Sequence, residues 1–322
     1  MPTIPVILDV DTGVDDALAL LFAIAHPDIE VLGVSCVAGN ASLERVVENT
    51  LRILDVAGAP DIPVAAGARR PLISPARSAS HVHGEGGLGT VHLPPGERVP
   101  AHVNAVELMR QLITDSPRPV TLVALAPQTN LALLLRQYPD LAENIERIVF
   151  MGGSAGTGNA TAVAEFNVWH DPEAAAIVLD AGIPTFMYGL DVFTQVSVDR
   201  EVAAALETGD SAHGRVVGAL LANRVARGEN SVAEYTGLIG DAGALCALVD
   251  PDALTTRLLP VRVELTGYGR GQTIVDRRRG MGEDTLHGSA GSWEIVEVAL
   301  DVDAPRYARL FLDTLGLSQS AS

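Results

Sequence analysis

The sequence predicts an α/β fold: a single domain with a mostly parallel, Rossmann-like sheet, helices on both faces, and long active-site loops at the carboxyl ends of the strands. Two observations carry this prediction. Short apolar runs alternate with segments whose apolar residues recur at helical spacing. The runs are apolar throughout, as strands are when helices cover both faces of their sheet.

The predicted elements follow in chain order. Strands are expected at residues 4–10, 31–37, 120–125, 145–151, 184–188 and 261–265, and helices at residues 15–25, 43–57, 104–114, 131–138, 172–181, 216–227 and 305–315. No linker, repeat or low-complexity tract separates them. We therefore expect one domain over residues 1–317 and a disordered tail at 318–322.

Three stretches do not follow the alternation. Residues 67–100, 152–170 and 228–241 are irregular and rich in glycine or polar side chains. Long irregular segments in a compact domain are usually functional loops. Since ligands bind beyond the carboxyl ends of the strands in an open α/β sheet, we expect these loops to frame the site.

The composition excludes several classes of function. The 322-residue chain carries 22 basic residues against 40 acidic ones, a formal charge of −18, and every basic residue is arginine. This charge disfavours binding to nucleic acid and to anionic membranes, so we expect neither as a partner. The absence of lysine excludes a lysine Schiff base and a lysine phosphate clamp.

The cysteines and the amino terminus indicate a cytoplasmic protein. Cys36 and Cys246 both lie in apolar runs and show no zinc-ligand spacing. The first apolar run has no basic residues before it and ends in an aspartate, which indicates a buried strand rather than a signal peptide. No apolar stretch is long enough to cross a bilayer.

The strongest local signal is the acidic turn after the first strand, DVDTGVDD at residues 9–16. Helix capping by acidic side chains, at about 0.3–1 kcal/mol each, explains one or two of these carboxylates. It does not explain four in one turn, where repulsion raises their pKa values. A Ca²⁺ or Mg²⁺ ion relieves that repulsion, so we favour metal binding.

Further oxygen ligands must come from elsewhere, because this turn lacks the glutamate that closes an EF-hand loop. Asp241 is the best distant candidate, and a helix N-cap is its alternative role. Phosphatases of the haloacid-dehalogenase type also have a strand that ends in Asp-x-Asp. Their mechanism needs a lysine, which this chain lacks.

A second resemblance extends along most of the chain. The sequence is similar to the inosine-uridine-preferring nucleoside hydrolases in a series of short motifs. These are DVDTGVDDA at 9–17, VAGN at 37–40, HVHG at 81–84, APQTNL at 126–131, MGG at 151–153, GN at 158–159, AEFN at 164–167 and DPEAA at 171–175. Each motif is weak alone, and their common order and spacing make the resemblance specific.

The resemblance implies one Ca²⁺ ion at the bottom of a ribose pocket. Its protein ligands would be Asp11, Asp16, the backbone carbonyl of Thr129, and Asp241. The ribose 2′ and 3′ hydroxyls and one water would complete the shell. The family mechanism would make Asp11 the general base that activates this water for attack on C1′. Taken alone, Thr129 resembles a helix N-cap, a role compatible with lending its carbonyl.

The resemblance also implies a set of substrate-binding residues. These are Asp15, Asn40, Met151, Asn159, Glu165, Asn167 and Asp241, of which Asp15 and Asn167 would bind the 2′ and 3′ hydroxyls. Two members have plain alternatives from the residues alone. Asn159 in a glycine-rich loop is typical of a turn, and Met151 at a strand end is typical of packing.

The sequence departs from the family at Gly240. Many members have a histidine there that helps to protonate the departing base, and glycine cannot do so. His83 is our candidate for the catalytic acid, because its imidazole titrates near neutral pH; an exposed loop histidine is its alternative. Tyr235 is a second substitute, although a packed loop aromatic is the favoured interpretation. His170, after Trp169, is interpreted as a helix-flanking residue.

Two functions follow. The first is calcium-dependent hydrolysis of the N-glycosidic bond of ribonucleosides, with leaving-group activation altered by Gly240. The second is a weakly active or inactive nucleoside- or ribose-binding protein on the same scaffold. The expected partner is a small-molecule ribonucleoside. The family resemblance implies a homodimer or homotetramer, and base preference stays open between purine, pyrimidine and modified bases.

Overall fold

The computed structural model describes residues 3–77, 86–89, 91–222, 224–225, 234–280, 282–288 and 293–318. Its strands are β1 (Ile4–Val10), β2 (Ile29–Cys36), β3 (Val64–Ala66), β4 (Val120–Ala124), β5 (Ile145–Met151), β6 (Thr185–Tyr188), β7 (Arg224–Val225), β8 (Glu234–Tyr235), β9 (Leu254–Val263), β10 (Thr273–Val275) and β11 (Glu294–Val302).

Helices lie between most of these strands. Among the described residues they are α1 (Val14–Ala25), α2 (Leu43–Val56), α3 (Ala105–Asp115), α4 (Thr129–Gln137), α5 (Phe166–His170), α6 (Pro172–Leu179), α7 (Leu190–Phe193), α8 (Arg200–Thr208), α9 (Ala212–Leu221), α10 (Ala242–Val249), α11 (Glu283–Leu286) and α12 (Ala304–Thr314). None of the described helices is long and apolar enough to span a membrane.

Within the described chain, nine strands form one sheet in the order β10-β9-β11-β6-β5-β4-β1-β2-β3. The strands from β11 to β3 pair in parallel along this order. Within this sheet only the β9 pairings with β11 and β10 are antiparallel, and β7 and β8 form a separate antiparallel pair. The predicted mostly parallel α/β sheet is therefore confirmed.

The two faces of the sheet bury separate apolar cores, which explains why the central strands are apolar throughout. In β1 the side chains of Val6 and Leu8 belong to one core, which contains α1 and α12. Ile7, which lies between them, belongs to the other core with Met109 of α3. Since successive strand side chains point to opposite faces, a strand between two cores needs apolar residues at every position.

Several predicted boundaries are wrong. The helix predicted at 216–227 ends at Leu221, and residues 224–225 form β7 instead. The stretch 152–170, predicted to be irregular, ends in α5. The sequence prediction also missed β3, β10, β11 and α8, and it began β9 too late. In β11, exposed or half-exposed residues interrupt the apolar pattern, which hid the strand.

The strand order places a crevice between β1 and β4. The chain winds from β1 toward β3 in one direction and from β4 toward β6 in the other. Loops that leave two neighbouring strands in opposite directions open a crevice at their carboxyl ends, where ligands bind in such sheets. The acidic turn leaves β1 at this point, and the Pro127–Thr129 turn leaves β4 beside it.

Candidate active site

Asp11, Asp16 and Asn40 form the centre of the site at the ends of β1 and β2. The backbone N–H of Asn40 donates to Asp11 Oδ2 at 2.7 Å. Its amide Nδ2 donates to Asp11 Oδ1 at 3.0 Å and to Asp16 Oδ2 at 3.3 Å. Both carboxylates are fully buried. The amide of Asn40 therefore links the two acidic groups and fixes their separation.

Gly39 explains how Asn40 comes so close to Asp11. A Cβ atom at residue 39 would lie 2.0 Å from Asp11 Oδ2. Any side chain there would occupy the space of the carboxylate, so only glycine permits this approach.

Asp16 also caps helix α1, so capping and clustering act together. Its Oδ1 accepts from the backbone N–H of Asp11 at 3.2 Å, and its Oδ2 accepts from that of Gly13 at 2.9 Å. These contacts satisfy amides at the helix start. Capping thus accounts for Asp16, whereas Asp11 and Asp15 need another explanation.

Asp241 joins this cluster from a segment more than 200 residues later in the chain. It occupies the N-cap position of α10, yet its side chain makes no capping hydrogen bond. The residue is buried, and burial raises the pKa of its carboxyl group. Negative charges of Asp16, Asp15, Asp11 and Glu165, in this order of strength, raise that pKa further. Asp241 therefore lies beside the acidic turn rather than acting as a cap.

The neighbouring carboxyl groups are perturbed in the same direction. Burial raises the pKa of Asp16 to about 6. Burial, and then the charge of Asp16, raise the pKa of Asp15 to about 7 and hold that of Asp11 well above its usual range. No ion pair among the described residues includes these groups. The site therefore concentrates negative charge without a protein cation to balance it.

The donor set suits a hard divalent cation, but the side chains are not drawn together into a metal cage. In the part of the chain that the structure describes, no three His, Cys, Asp or Glu side chains converge as a metal-binding group. Two of the carboxylates instead bind the Asn40 amide and backbone N–H groups. Crowded, unbalanced carboxylates are nevertheless the oxygen donors that Ca²⁺ prefers.

The first turn of α4, which begins at Thr129, is held by two buried side chains that the sequence prediction did not assign, Asp171 and Asn130. Thr129 Oγ1 donates to Asp171 Oδ2 at 2.6 Å. The next residue, Asn130, donates from Nδ2 to Asp9 Oδ1 and to Ser35 Oγ, each at 2.9 Å. These contacts fix the first turn of α4 against the ends of β1 and β2. Asp171 and Asn130 were part of the motifs noted above, and that was the available signal.

Asp9 belongs to this supporting network rather than to the acidic centre. Its Oδ1 also accepts from Ser35 Oγ at 2.6 Å, while Oδ2 is buried without a hydrogen-bond partner. Burial raises the pKa of Asp9 to about 7. Of the four carboxylates in the first turn, Asp9 thus belongs to the supporting network, whereas Asp11, Asp15 and Asp16 belong to the acidic centre.

The β5 side of the site is built around Asn167 and Glu165. Asn167 Nδ2 donates to the backbone carbonyls of Leu125 and Met151, at 3.0 and 3.1 Å. Because these contacts use the nitrogen, Oδ1 is the atom left for a ligand. Glu165 accepts from the backbone N–H groups of Gly153, Asn167 and Val168. Its carboxylate therefore orders the turn that carries Asn167.

Asn159 lies on the exposed part of this loop. Its Oδ1 accepts from the backbone N–H of Phe166 at 2.9 Å, which is a local turn contact. Met151 is buried at the end of β5, next to Tyr188 of β6. Both positions are compatible with a place in the site wall, and their substrate roles stay predictions.

Gly240 packs directly on Asp15. Its φ is +57°, in the left-handed region that favours glycine. A Cβ atom at residue 240 would lie 2.6 Å from both Cβ and Oδ1 of Asp15. A histidine would therefore not fit here without a shift of the loop or of Asp15.

Of the predicted acid donors, His83 lies outside the described residues, as does the side chain of Tyr235. His170 is the last residue of α5, as a helix-flanking residue should be, and it is fully buried. Burial and the charge of Arg77 lower the pKa of His170 to about 4. The imidazole is therefore neutral at neutral pH.

A sequence model described as "Inosine-uridine preferring nucleoside hydrolase" matches residues 6–309. The chain belongs to this nucleoside hydrolase family. A pyrimidine-specific ribonucleoside hydrolase, RihA, from Citrobacter koseri is 41% identical over 275 residues, covering 85% of this chain and 88% of the relative.

Solved structures agree with this assignment. The plant nucleoside hydrolase PpNRh1 has a TM-score of 0.86 and 31% identity, covering 98% of this chain and 99% of its own. A purine-preferring ribonucleoside hydrolase from Gardnerella vaginalis has a TM-score of 0.86 and 29% identity, covering 97% and 98%. This nucleoside hydrolase is thus an enzyme of the N-glycosyl hydrolase class.

Proposed function

We propose that this nucleoside hydrolase cleaves the N-glycosidic bond of ribonucleosides in a calcium-dependent reaction, with Asp11 as general base. The observation that supports this most is the position of Asp241, which shares one buried acidic site with Asp11, Asp15 and Asp16. The names of the relatives favour this reaction over the inactive binding protein.

The proposed calcium ligands are Asp11, Asp16, Asp241 and the carbonyl of Thr129. Their fit rests on buried carboxylates that pair with no cation among the residues that the structure describes. A calcium ion bound there would orient the ribose hydroxyls and lower the pKa of the attacking water.

Asp11 is the proposed base because of its hydrogen bonds. Both of its carboxylate oxygens accept from Asn40, which stabilises the charged form that a base requires. In this role Asp11 takes a proton from the water that attacks C1′. A base positioned in this way contributes about 10²–10⁴-fold to the rate.

The remaining acidic groups act on charge and orientation. As the N-glycosidic bond breaks, positive charge develops on the sugar. Buried carboxylates around that position stabilise it more strongly than water would. Asp15 and Asn167 are the proposed ligands of the 2′ and 3′ hydroxyls, with Asn40, Met151, Asn159, Glu165 and Asp241 completing the ribose site.

Activation of the leaving group is the part that differs from the family pattern. Gly240 offers no proton, and a histidine at this position would require a shift of the loop or of Asp15. We therefore propose that the departing base is protonated from elsewhere, with His83 as the candidate. Pyrimidine ribonucleosides are the favoured substrates, because the pyrimidine-specific relative shares 41% identity, against 29% for the purine-preferring one.

The test compares p-nitrophenyl riboside, whose leaving group needs no acid, with uridine and inosine. Metal-free protein should be inactive on all three, and added calcium should restore activity. Asp11→Asn should keep the fold and lose at least about 10²-fold in turnover. His83→Ala should slow the natural nucleosides more than the nitrophenyl riboside.

Three results would contradict the proposal. Full activity of the metal-free protein would show that the reaction does not need calcium. Near-normal turnover of Asp11→Asn would show that Asp11 is not the general base. Cleavage of no riboside, even with calcium, would favour the binding protein.

A further inference from the structure

The two carboxylate oxygens of Asp171 bind different parts of the fold. The residue is fully buried at the junction of α5 and α6. Its Oδ1 accepts from the backbone N–H of Ala174 at 3.1 Å and thereby caps α6. Its Oδ2 accepts from Thr129 Oγ1 at 2.6 Å and from the backbone N–H of Leu72 at 2.9 Å. Helix capping therefore explains one oxygen, and the other connects two segments that are distant in sequence.

The contact with Thr129 bears on the calcium site, because the carbonyl of this residue is one of the proposed ligands. A hydrogen bond of 2.6 Å from a hydroxyl to a carboxylate is short and charge-assisted. Threonine is β-branched, so a bond that holds Oγ1 also holds the side-chain rotamer. The backbone N–H of Thr129 donates to the carbonyl of Pro127 at 2.8 Å. With both points fixed, residue 129 can rotate little, and these two contacts set the direction of its carbonyl.

Asp171 also borders the proposed ribose site. Its backbone N–H donates to the carbonyl of Asn167 at 3.5 Å, at the end of α5. Asn167 is a proposed ligand of the ribose hydroxyls, and its amide binds the carbonyls of Leu125 and Met151. Asp171 therefore joins the turn that begins α4 to the short helix that carries Asn167.

We propose that Asp171 is a positioning residue for the calcium site: through the Thr129 hydroxyl, it fixes the direction of the Thr129 carbonyl that would bind the ion. This inference rests on the proposed calcium site. Neighbours that orient a metal ligand are worth about 10–100-fold in metal affinity. Because Asp171 acts through Thr129 rather than on the substrate, its effect should appear in calcium binding itself.

The experiment measures calcium affinity by calorimetry in chelator-treated protein, and stability by thermal unfolding without calcium. Thr129→Val removes the hydroxyl but keeps the side-chain shape and the backbone carbonyl, and it should weaken calcium binding about 10–100-fold. Thr129→Ser keeps the hydroxyl and should bind calcium as the wild type does. The pair tests the contact itself, because both variants retain the proposed ligand.

Asp171→Ser tests the other partner of this contact. Serine caps helices as well as aspartate does, but its one short side-chain oxygen cannot serve Ala174 and Thr129 together. This variant should therefore weaken calcium binding by a similar factor. In combination with Thr129→Val it should weaken binding little further, because both changes remove the same hydrogen bond. Losses of affinity that multiply would show that the two residues act independently, and would overturn the inference.

Thr185→Val is the matched control. Thr185 is also buried, and its hydroxyl donates to the backbone carbonyl of Ile183 at 2.8 Å. It begins β6 and so lies at the opposite end of this parallel strand from the site. The variant should lower the midpoint of thermal unfolding and leave calcium affinity unchanged. Since each threonine variant loses one buried hydroxyl contact, the comparison isolates the place of the contact.

Wild-type calcium affinity in Thr129→Val would overturn the inference. An equal loss of affinity in Thr185→Val would do the same, because affinity would then follow stability in general. If the wild type itself neither binds calcium nor is stabilised by it, the proposed calcium site fails and the inference fails with it. That outcome is distinct, because the unmodified protein then gives no signal.

Discussion

Glycines at three positions shape this site as much as the carboxylates do. Gly39 lets Asn40 reach Asp11, Gly240 lies on Asp15, and Gly243 accommodates Tyr188. The resemblance predicted the carboxylates, because each motif marks a residue type. It could not predict that Gly243 is needed for space, since the Tyr188 ring that fills this space comes from a strand more than 50 residues earlier in the chain.

Gly240→Ala should damage substrate binding. The added Cβ would collide with Asp15, and a displacement of about 1 Å in a positioning group costs about 10²-fold. We expect the loss in kcat/KM, with a raised KM for uridine. Gly182→Ala is the control, because Gly182 has a comparable φ of +71° and open space around it. Equal losses of kcat/KM in both variants would show that backbone strain, rather than the collision with Asp15, causes the effect.

Among elements, the first turn of α4 is the best-anchored part of the site. Asn130 Nδ2 binds Asp9, Ser35 and the carbonyl of Cys36, while its Oδ1 accepts from Ala68 N–H. One side chain thereby joins the ends of β1 and β2 to the loop after β3. The sequence showed only a Thr-Asn pair at a helix start, because the partners come from distant segments.

Asn130→Ala should therefore destabilise the protein by about 3 kcal/mol, since it leaves several buried groups without partners. Asn104→Ala is the control: Asn104 caps α3 through one exposed contact to Glu107 N–H, and its loss should cost about 1 kcal/mol. Urea unfolding measures both. Similar losses of unfolding free energy in the two variants would show that the buried contacts of Asn130 contribute no more than one exposed cap.

Across the whole molecule, the central parallel strands were predictable, whereas β10 and β11 were missed and β9 was predicted only at its carboxyl end. Strands between two cores are apolar at every position, a pattern that the sequence displays directly. In β9 and β11, exposed Leu258 and Ile295 alternate with buried residues, so burial there follows neighbours that the sequence does not reveal. The fold class predicted a site at the carboxyl ends of the strands, and the strand order then located the crevice between β1 and β4.

The buried carboxyl groups also give the whole molecule a pH dependence. Burial raises the pKa of Asp15 to about 7 and those of Asp16 and Glu165 to about 6, from ordinary values near 4. Between about pH 4 and 7 the folded protein then binds more protons than the unfolded chain, so metal-free stability falls as pH rises. The pKa of His170, lowered to about 4, acts in the opposite direction within this range, but it is one group against three carboxyl groups. The lowered pKa of Asp276, about 2, acts below this range.

Calcium should oppose this trend, because the proposed site would bind the ion through ionised carboxylates. Urea unfolding at pH 5 and pH 7.5 should show a larger stabilisation by calcium at the higher pH. At 100 times its Kd, a ligand stabilises by about 2.7 kcal/mol. Metal-free stability that rises between these pH values would contradict the assigned pKa directions.

The meeting of Asp11 with Asp241 has a consequence for how activity arises during folding. β1 pairs with β2 nearby in sequence but also with β4, more than 100 residues later, as Val6 does with Thr121. Contacts between such distant segments form slowly, because the loop-closure entropy is lost before the contact is gained. A nascent chain therefore holds Asp11 and Asp241 apart until α10 has been synthesised and docked.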